Sequence, residues 1–187
     1  MKPSDAEDLY AICTDAELMK WTSQMVADVD IEATRTWVSK FMPPNDNETF
    51  IFSIEELSNT GQFVSTIGVH KSNPPDLGYL IAHEHWGKGF ATEAAIAFLP
   101  VYWALEHKIV DVKDGDQEHE RLFAGTWVGN KPSQHVLQKC GFVYAGEGEY
   151  MHLDAGHRFR FQIRPRSISQ ALKTCQDNLR LAKRSLS

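Results

Sequence analysis

The chain has 187 residues, 42% hydrophobic and 24% charged, with a formal net charge of −6, which fits one ordinary globular domain with one core and a short appendage. No apolar run reaches the ~20 residues that a bilayer-spanning helix needs, and Cys13, Cys140 and Cys175 are too few and too scattered for a disulfide framework or a paired-cysteine zinc site. The acidic excess lies in residues 1–157, whereas residues 158–187 carry eight Lys/Arg against Asp177; an acidic body of this kind repels nucleic acid and favours cationic substrates such as amines.

The first residues, MKPSDAEDLY, lack the basic-then-apolar order of a signal peptide, so a cytoplasmic protein with no membrane attachment is expected. Ser4 and Glu7 have capping-box spacing and predict a helix with Leu9, Ile12, Cys13 and Ala16 on one side. A second helix is predicted from Asp30, with Trp37, Val38 and Phe41 inward and Pro43 and Pro44 beyond its end. Residues 49–57 and 62–70 read as strands of a hairpin around SNTG, and 76–82 as a third strand.

The glycine-rich WGKG follows, then a helix over about 91–107 in which Pro100 should cause a kink or a split. The mostly acidic stretch 111–120 reads as a solvated loop, 121–128 as a strand, 131–140 as a short helix, and 142–153 and 157–164 as a last pair of strands. From Ile168 through Leu172, Cys175, Leu179 and Ala182 to Leu186, apolar residues recur in steps of four and three. This stripe predicts an amphipathic C-terminal helix over 167–187 that docks on the domain or pairs with a second copy.

A strand that enters a glycine turn and opens a helix leaves amide N–H groups free at the positive end of the helix dipole, a natural seat for phosphate. Gly87 and Gly89 allow the backbone to approach without a Cβ in the way. A Walker A loop fails here, because Ala82 and Gly89 stand at its first and last positions. A dinucleotide fingerprint has Thr92 at its third glycine, although Asp111 lies about 20 residues on, so an NAD(P)-binding oxidoreductase stays open at this point. The remaining reading is a loop that clamps the pyrophosphate of coenzyme A.

The segment NKPSQHVLQKCGF (130–142) is a well-delimited helix: Asn130 at the cap, Pro132 in the first turn, Gly141 at the left-handed exit and Phe142 as its apolar partner. With WGKGFATEAA upstream, it resembles the GNAT superfamily of N-acetyltransferases, in particular its RimJ/RimL-like branch. The likeness covers roughly residues 3–164, and the family loop would be read as Trp86, Gly87, Lys88, Gly89, Phe90 and Ala91. It implies an α/β (α+β) fold with a mixed, mostly antiparallel central sheet, a splayed parallel pair of strands and flanking helices. It also implies a domain over 1–166 that lacks the family's usual first strand, since only MK precedes the first helix.

The resemblance implies acetyl transfer from acetyl-CoA to an amine without a covalent enzyme intermediate. The amides of Gly87, Lys88, Gly89, Phe90, Ala91 and Thr92 would hold pyrophosphate, with Lys88 adding charge. The backbone of Tyr79, Leu80 and Ile81 would run beside the pantetheine arm and offer an N–H to the thioester oxygen, and Asn130 would reach toward the arm. Many family members place a Tyr seven residues after the Asn; Leu137 stands there instead, and Ser133 is the substitute proton donor. Glu149 and His152 are candidate bases. The acceptor would be a small-molecule or peptide N-terminal amine.

A non-catalytic acyl-CoA-binding module is the alternative that Leu137 and the missing strand suggest. The hairpin strand 49–57 would then be a bare sheet edge, expected to be covered by the tail helix or by the second subunit of a homodimer. No metal is expected. His83 and His85 flank Glu84 with the wrong spacing for zinc, and HERLF has Phe123 where H-E-x-x-H needs its second His.

Overall fold

The computed structural model describes residues 1–46, 49–57, 62–72, 74–104, 112–114, 117–119, 121–148 and 158–164. Among them the helices are α1 (Asp5–Cys13), α2 (Ala16–Met19), α3 (Ile31–Ser39), α4 (Phe90–Ala104) and α5 (Lys131–Lys139). The strands are β1 (Phe50–Glu55), β2 (Phe63–Ser72), β3 (Pro75–Ile81), β4 (Val112–Asp114), β5 (Gln117–His119), β6 (Leu122–Trp127), β7 (Val143–Gly148) and β8 (Arg158–Ile163). Six of them form one sheet in the order β1-β2-β3-β6-β8-β7. Every neighbouring pair is antiparallel except β3 with β6.

Period-two alternation along the strands gives the sheet two apolar faces. On one, Ile67, Val69, Leu77, Phe161 and Ile163 pack against Phe98, Leu99 and Tyr102 of α4 and Leu137 of α5. On the other, Leu9, Ile12, Leu18, Met19 and Val38 of α1–α3 cluster with Phe63 and Leu80. Full burial of such a side chain stabilises the fold by about 1.5–3 kcal/mol. Within β3, therefore, Leu77 and Tyr79 look toward α4 and α5, and Leu80 toward α1–α3.

On the α3 side, the imidazole of His70 lies 5.8 Å from the rings of both Trp37 and Phe41. It also covers Gly78, where a Cβ would stand 2.4 Å from its Nε2. Loss of water pushes the His70 pKa down, against a smaller opposite pull from Asp76.

Four local expectations change. Ser4 makes no side-chain cap bond; Asp5 does the local work, its carboxylate accepting from the Lys2 amide at 3.0 Å and from the Ser53 hydroxyl. A carboxylate tied to both the preceding turn and β1 anchors that helix start better than a lone serine would. Ala16 does not extend α1 but begins α2, because Asp15 caps a new start by accepting from the Glu17 amide at 2.8 Å. Of the kink or split expected at Pro100, the split does not occur, since α4 runs unbroken to Ala104. The exposed proline forfeits one backbone bond, while Phe98, Leu99 and Tyr102 anchor both sides of it in the core. The stretch 111–120 is not all loop, since β4 and β5 pair antiparallel as a small separate hairpin.

No strand precedes α1 among the described residues. The terminal amine of Met1 nevertheless donates to the Ile51 carbonyl at 3.1 Å, on outermost strand β1, and Lys2 Nζ lies 4.0 Å from Glu55. The predicted helix over 167–187 lies outside the described residues.

Candidate functional site

β3 and β6 share a single registered pair, Asp76 with Phe123, near their starts. Both strands run on, to Ile81 and Trp127, without a ladder between them. A gap therefore opens toward their C-terminal ends, and the backbone groups along it are left for another partner. The carbonyls of Leu80 and Ile81 already accept from Ser65 Oγ at 2.6 Å and from the Trp86 indole at 2.8 Å.

The glycine loop lies at the end of that gap. After a 3-10 turn over His83–His85, Gly87 has φ +73° and Gly89 φ +92°, angles that glycine alone adopts without strain. A Cβ at either would meet nothing within 4 Å, so the backbone angle demands glycine here and the space beside the loop is open. Glu93 is the first amide of α4 to bond back, to Gly89 O at 3.0 Å. The amides of Gly89, Phe90, Ala91 and Thr92 come before it and have no partner within the helix. Lys88 is exposed beside them. These amides, aligned with the helix dipole, can hold an anion.

Trp86 does more than fill a polar residue's place. Its indole ties the loop back to the end of β3 at Ile81, and its ring lies 4.3 Å from that of His83. His83 in turn reaches Asp15 at 3.1 Å, and His85 is buried with its ring edge-on to Phe90 at 5.2 Å. Among the described residues, no three His, Cys, Asp or Glu side chains gather as a metal site would require.

α5 begins at the end of β6 and is closed where α4 is open. Asn130 Oδ1 accepts from the Ser133 amide at 3.1 Å, Pro132 has no amide hydrogen, and Gln134 ties the turn down through the carbonyls of Trp127 and Val128 at 3.2 and 2.8 Å. At the far end Gly141 takes φ +89°, and the Phe142 amide donates back to Leu137 O at 3.0 Å, as a left-handed helix exit requires. Leu137 is only 1% exposed and packs in the core, with no polar atom to offer the gap. Cys140 is buried too, its thiol directed at the Thr92 carbonyl.

Sequence reasoning named Tyr79 for its backbone alone and missed its side chain. The phenol crosses from β3 to α5, where its oxygen lies 2.7 Å from Ser133 Oγ. Burial pushes its pKa up to about 12, and the bond to Ser133 offsets only part of that. The signal was present in the alternation Leu77, Tyr79, Ile81, which turns the tyrosine to the α5 side of a strand already assigned. Glu149 and His152 lie outside the described residues.

A family model described as an acetyltransferase (GNAT) domain matches residues 1–143. An uncharacterized protein of Bacillus subtilis, YkkB, is 26% identical over 151 residues, spanning 78% of this chain and 80% of its own. Among solved structures, an acetyltransferase (GNAT family) from Bacillus anthracis superposes with a TM-score of 0.68 at 23% identity, covering 88% of this chain and 91% of that one. RimL, a ribosomal L7/L12 alpha-N-protein acetyltransferase solved with coenzyme A, gives 0.69 at 16% identity, with 88% and 90% covered. No helix among the described residues is long and apolar enough to cross a membrane.

Proposed function

The chain belongs to the GNAT acetyltransferase family, of the RimJ/RimL type, and on that premise we propose that it moves an acetyl group from acetyl-CoA to a primary amine by direct attack. The observation that carries this reading is the coincidence of an open helix start, Gly87 to Thr92, with the unladdered ends of β3 and β6. The residues suit the donor: open amides and Lys88 for pyrophosphate, the strand amides of Tyr79 and Ile81 for the pantetheine arm, with Leu80 between them turned to β2, and Asn130 across the gap. Acetyl-CoA supplies an activated acyl group with a thiol leaving group.

The chain's own residues would do the rest. A strand amide beside the gap would donate to the carbonyl oxygen as charge develops there. Ser133, in the first turn of α5, would donate a hydrogen bond to the departing sulfur in place of the tyrosine absent at Leu137. The acceptor must be neutral to attack, and an alkylamine of pKa about 10 is mostly protonated at neutral pH, so a base helps; Glu149 and His152 are the proposed bases. The acidic body would favour a cationic acceptor, a small-molecule or peptide N-terminal amine.

A second reading, an acyl-CoA-binding module without turnover, draws on the burial of Leu137 where a proton donor commonly stands. Thermal-shift measurements with acetyl-CoA, CoA and NAD(P) separate the classes. The CoA compounds are expected to raise Tm, and stabilisation by NAD(P) alone would defeat both CoA readings. Thiol release from acetyl-CoA with spermidine, free amino acids and short peptides then divides enzyme from binder.

A further inference from the structure

We infer that Tyr79 is the positioning residue for Ser133: its phenol holds the serine hydroxyl so that the serine's own hydrogen is presented to the gap between β3 and β6. This rests on the transferase reading above and adds to it a second hydroxyl, from the opposite wall of the gap.

The two groups come from different elements. Ser133 is fixed through its backbone, the amide bound by Asn130 Oδ1 at 3.1 Å, but its hydroxyl can rotate freely about Cβ unless something directs it. Tyr79 OH, 2.7 Å from Ser133 Oγ, is the group that does so. A phenol is the better donor of the two and an alkyl hydroxyl the better acceptor, so the favoured sense is Tyr79 O–H to Ser133 Oγ. Burial that raises the phenol to about 12 keeps it protonated, and hence a donor, at any working pH. The serine hydrogen is then left to bond something else.

The chemistry needs no ionisation of either hydroxyl. As the C–N bond forms and the C–S bond breaks, the electron pair goes to sulfur. A thiol of pKa about 8.5 is a stronger acid than the serine or Tyr79, so neither hydroxyl surrenders its proton to the thiolate. The serine stabilises it by hydrogen bonding, and Tyr79 acts only through the serine. The proton lost from nitrogen reaches sulfur through the base and water, which closes the balance.

The test is a double-mutant cycle on the full chain with Tyr79→Phe, Ser133→Ala and both together. Thiol release is followed with acetyl-CoA and whichever of spermidine or a short peptide the wild type accepts, and Tm is measured without ligand. Tyr79→Phe is expected to lower kcat about tenfold, with the KM for acetyl-CoA within twofold. The double variant should be no slower than Ser133→Ala, and its Tm loss smaller than the two single losses combined. Ser133→Thr, which keeps a hydroxyl, should retain activity only while Tyr79 is present. A Tyr79→Phe kcat within twofold of wild type, or additive effects on rate, overturns the role of Tyr79 while leaving the transferase reading intact. A wild type that binds CoA and releases no thiol overturns both.

Discussion

α4 and α5 start in the same place relative to the sheet, each just past the C-terminal end of one strand of the parallel pair, yet the two starts are built in opposite ways. α4 opens from Gly89, which has no side chain to cap anything, and its first amides stay available. α5 opens from Asn130, whose side chain accepts from the Ser133 amide at 3.1 Å, and Pro132 removes another donor. Two helix dipoles thus point toward one gap, but only one of them presents bare N–H groups. An uncapped helix start costs stability that a cap would restore, and in the function proposed above α4 is left open as the anion seat. In the same proposal the closed α5 start would serve as a rigid mount for the Ser133 hydroxyl.

The sharpest way to break this contrast is to fill the open start. Gly89→Val puts a β-branched residue at φ +92°, where strain of about 1–3 kcal/mol must distort the loop. CoA affinity by calorimetry is expected to fall at least tenfold, and an unchanged Kd would remove the glycine loop from the donor site. The second test addresses the mount through Tyr79. Its pKa is about 12 in the fold against 10 for an ordinary tyrosine, so the folded state retains a proton that the unfolded chain loses. The stability tied to this group is complete below pH 10 and is lost as pH rises toward 12, with a slope approaching ~1.4 kcal/mol per pH unit. Denaturant melts across that window should be flatter for Tyr79→Phe than for wild type; parallel curves would mean the phenol is not buried. The smallest effect belongs to the closed start itself. Asn130→Ala should cost about 1 kcal/mol, or roughly 2–4 °C in Tm for a chain this long. Asn130→Asp should stay near wild type, since aspartate caps as well as asparagine; equal losses in both would show that capping is not what Asn130 contributes.

Much of the glycine loop and of the α5 start was legible because it is written in backbone chemistry. Gly87, Gly89, Asn130, Pro132 and Gly141 each satisfy a local geometric demand that needs no knowledge of the rest of the fold, and the structure places each where that demand arises. The strand predicted over 76–82 was legible as a short apolar run bounded by Pro75 and the glycine loop. What failed were competitions that local pattern cannot decide. Asp5 rather than Ser4 anchors α1 because β1 supplies Ser53 as a partner 48 residues away. The single turn of α2 is too short for any periodicity to register. Pro100 sits in a helix whose flanking residues are held by tertiary packing, which outweighs one lost bond. The Tyr79 side chain went unread because its partner is 54 residues on, a distance that only the parallel crossover closes.

The pairing of His70 with Gly78 has a consequence for how this chain can change. The two positions share one volume, a single imidazole thickness wedged between β3 and the rings of Trp37 and Phe41. Any side chain at 78 must displace the ring, and trimming residue 70 alone leaves a hole. In a set of relatives, a larger residue at 78 is therefore expected to travel with a smaller one at 70. Tyr79 is the next residue along and turns to the opposite face, so the imidazole fills the α3 side of the strand directly behind the phenol.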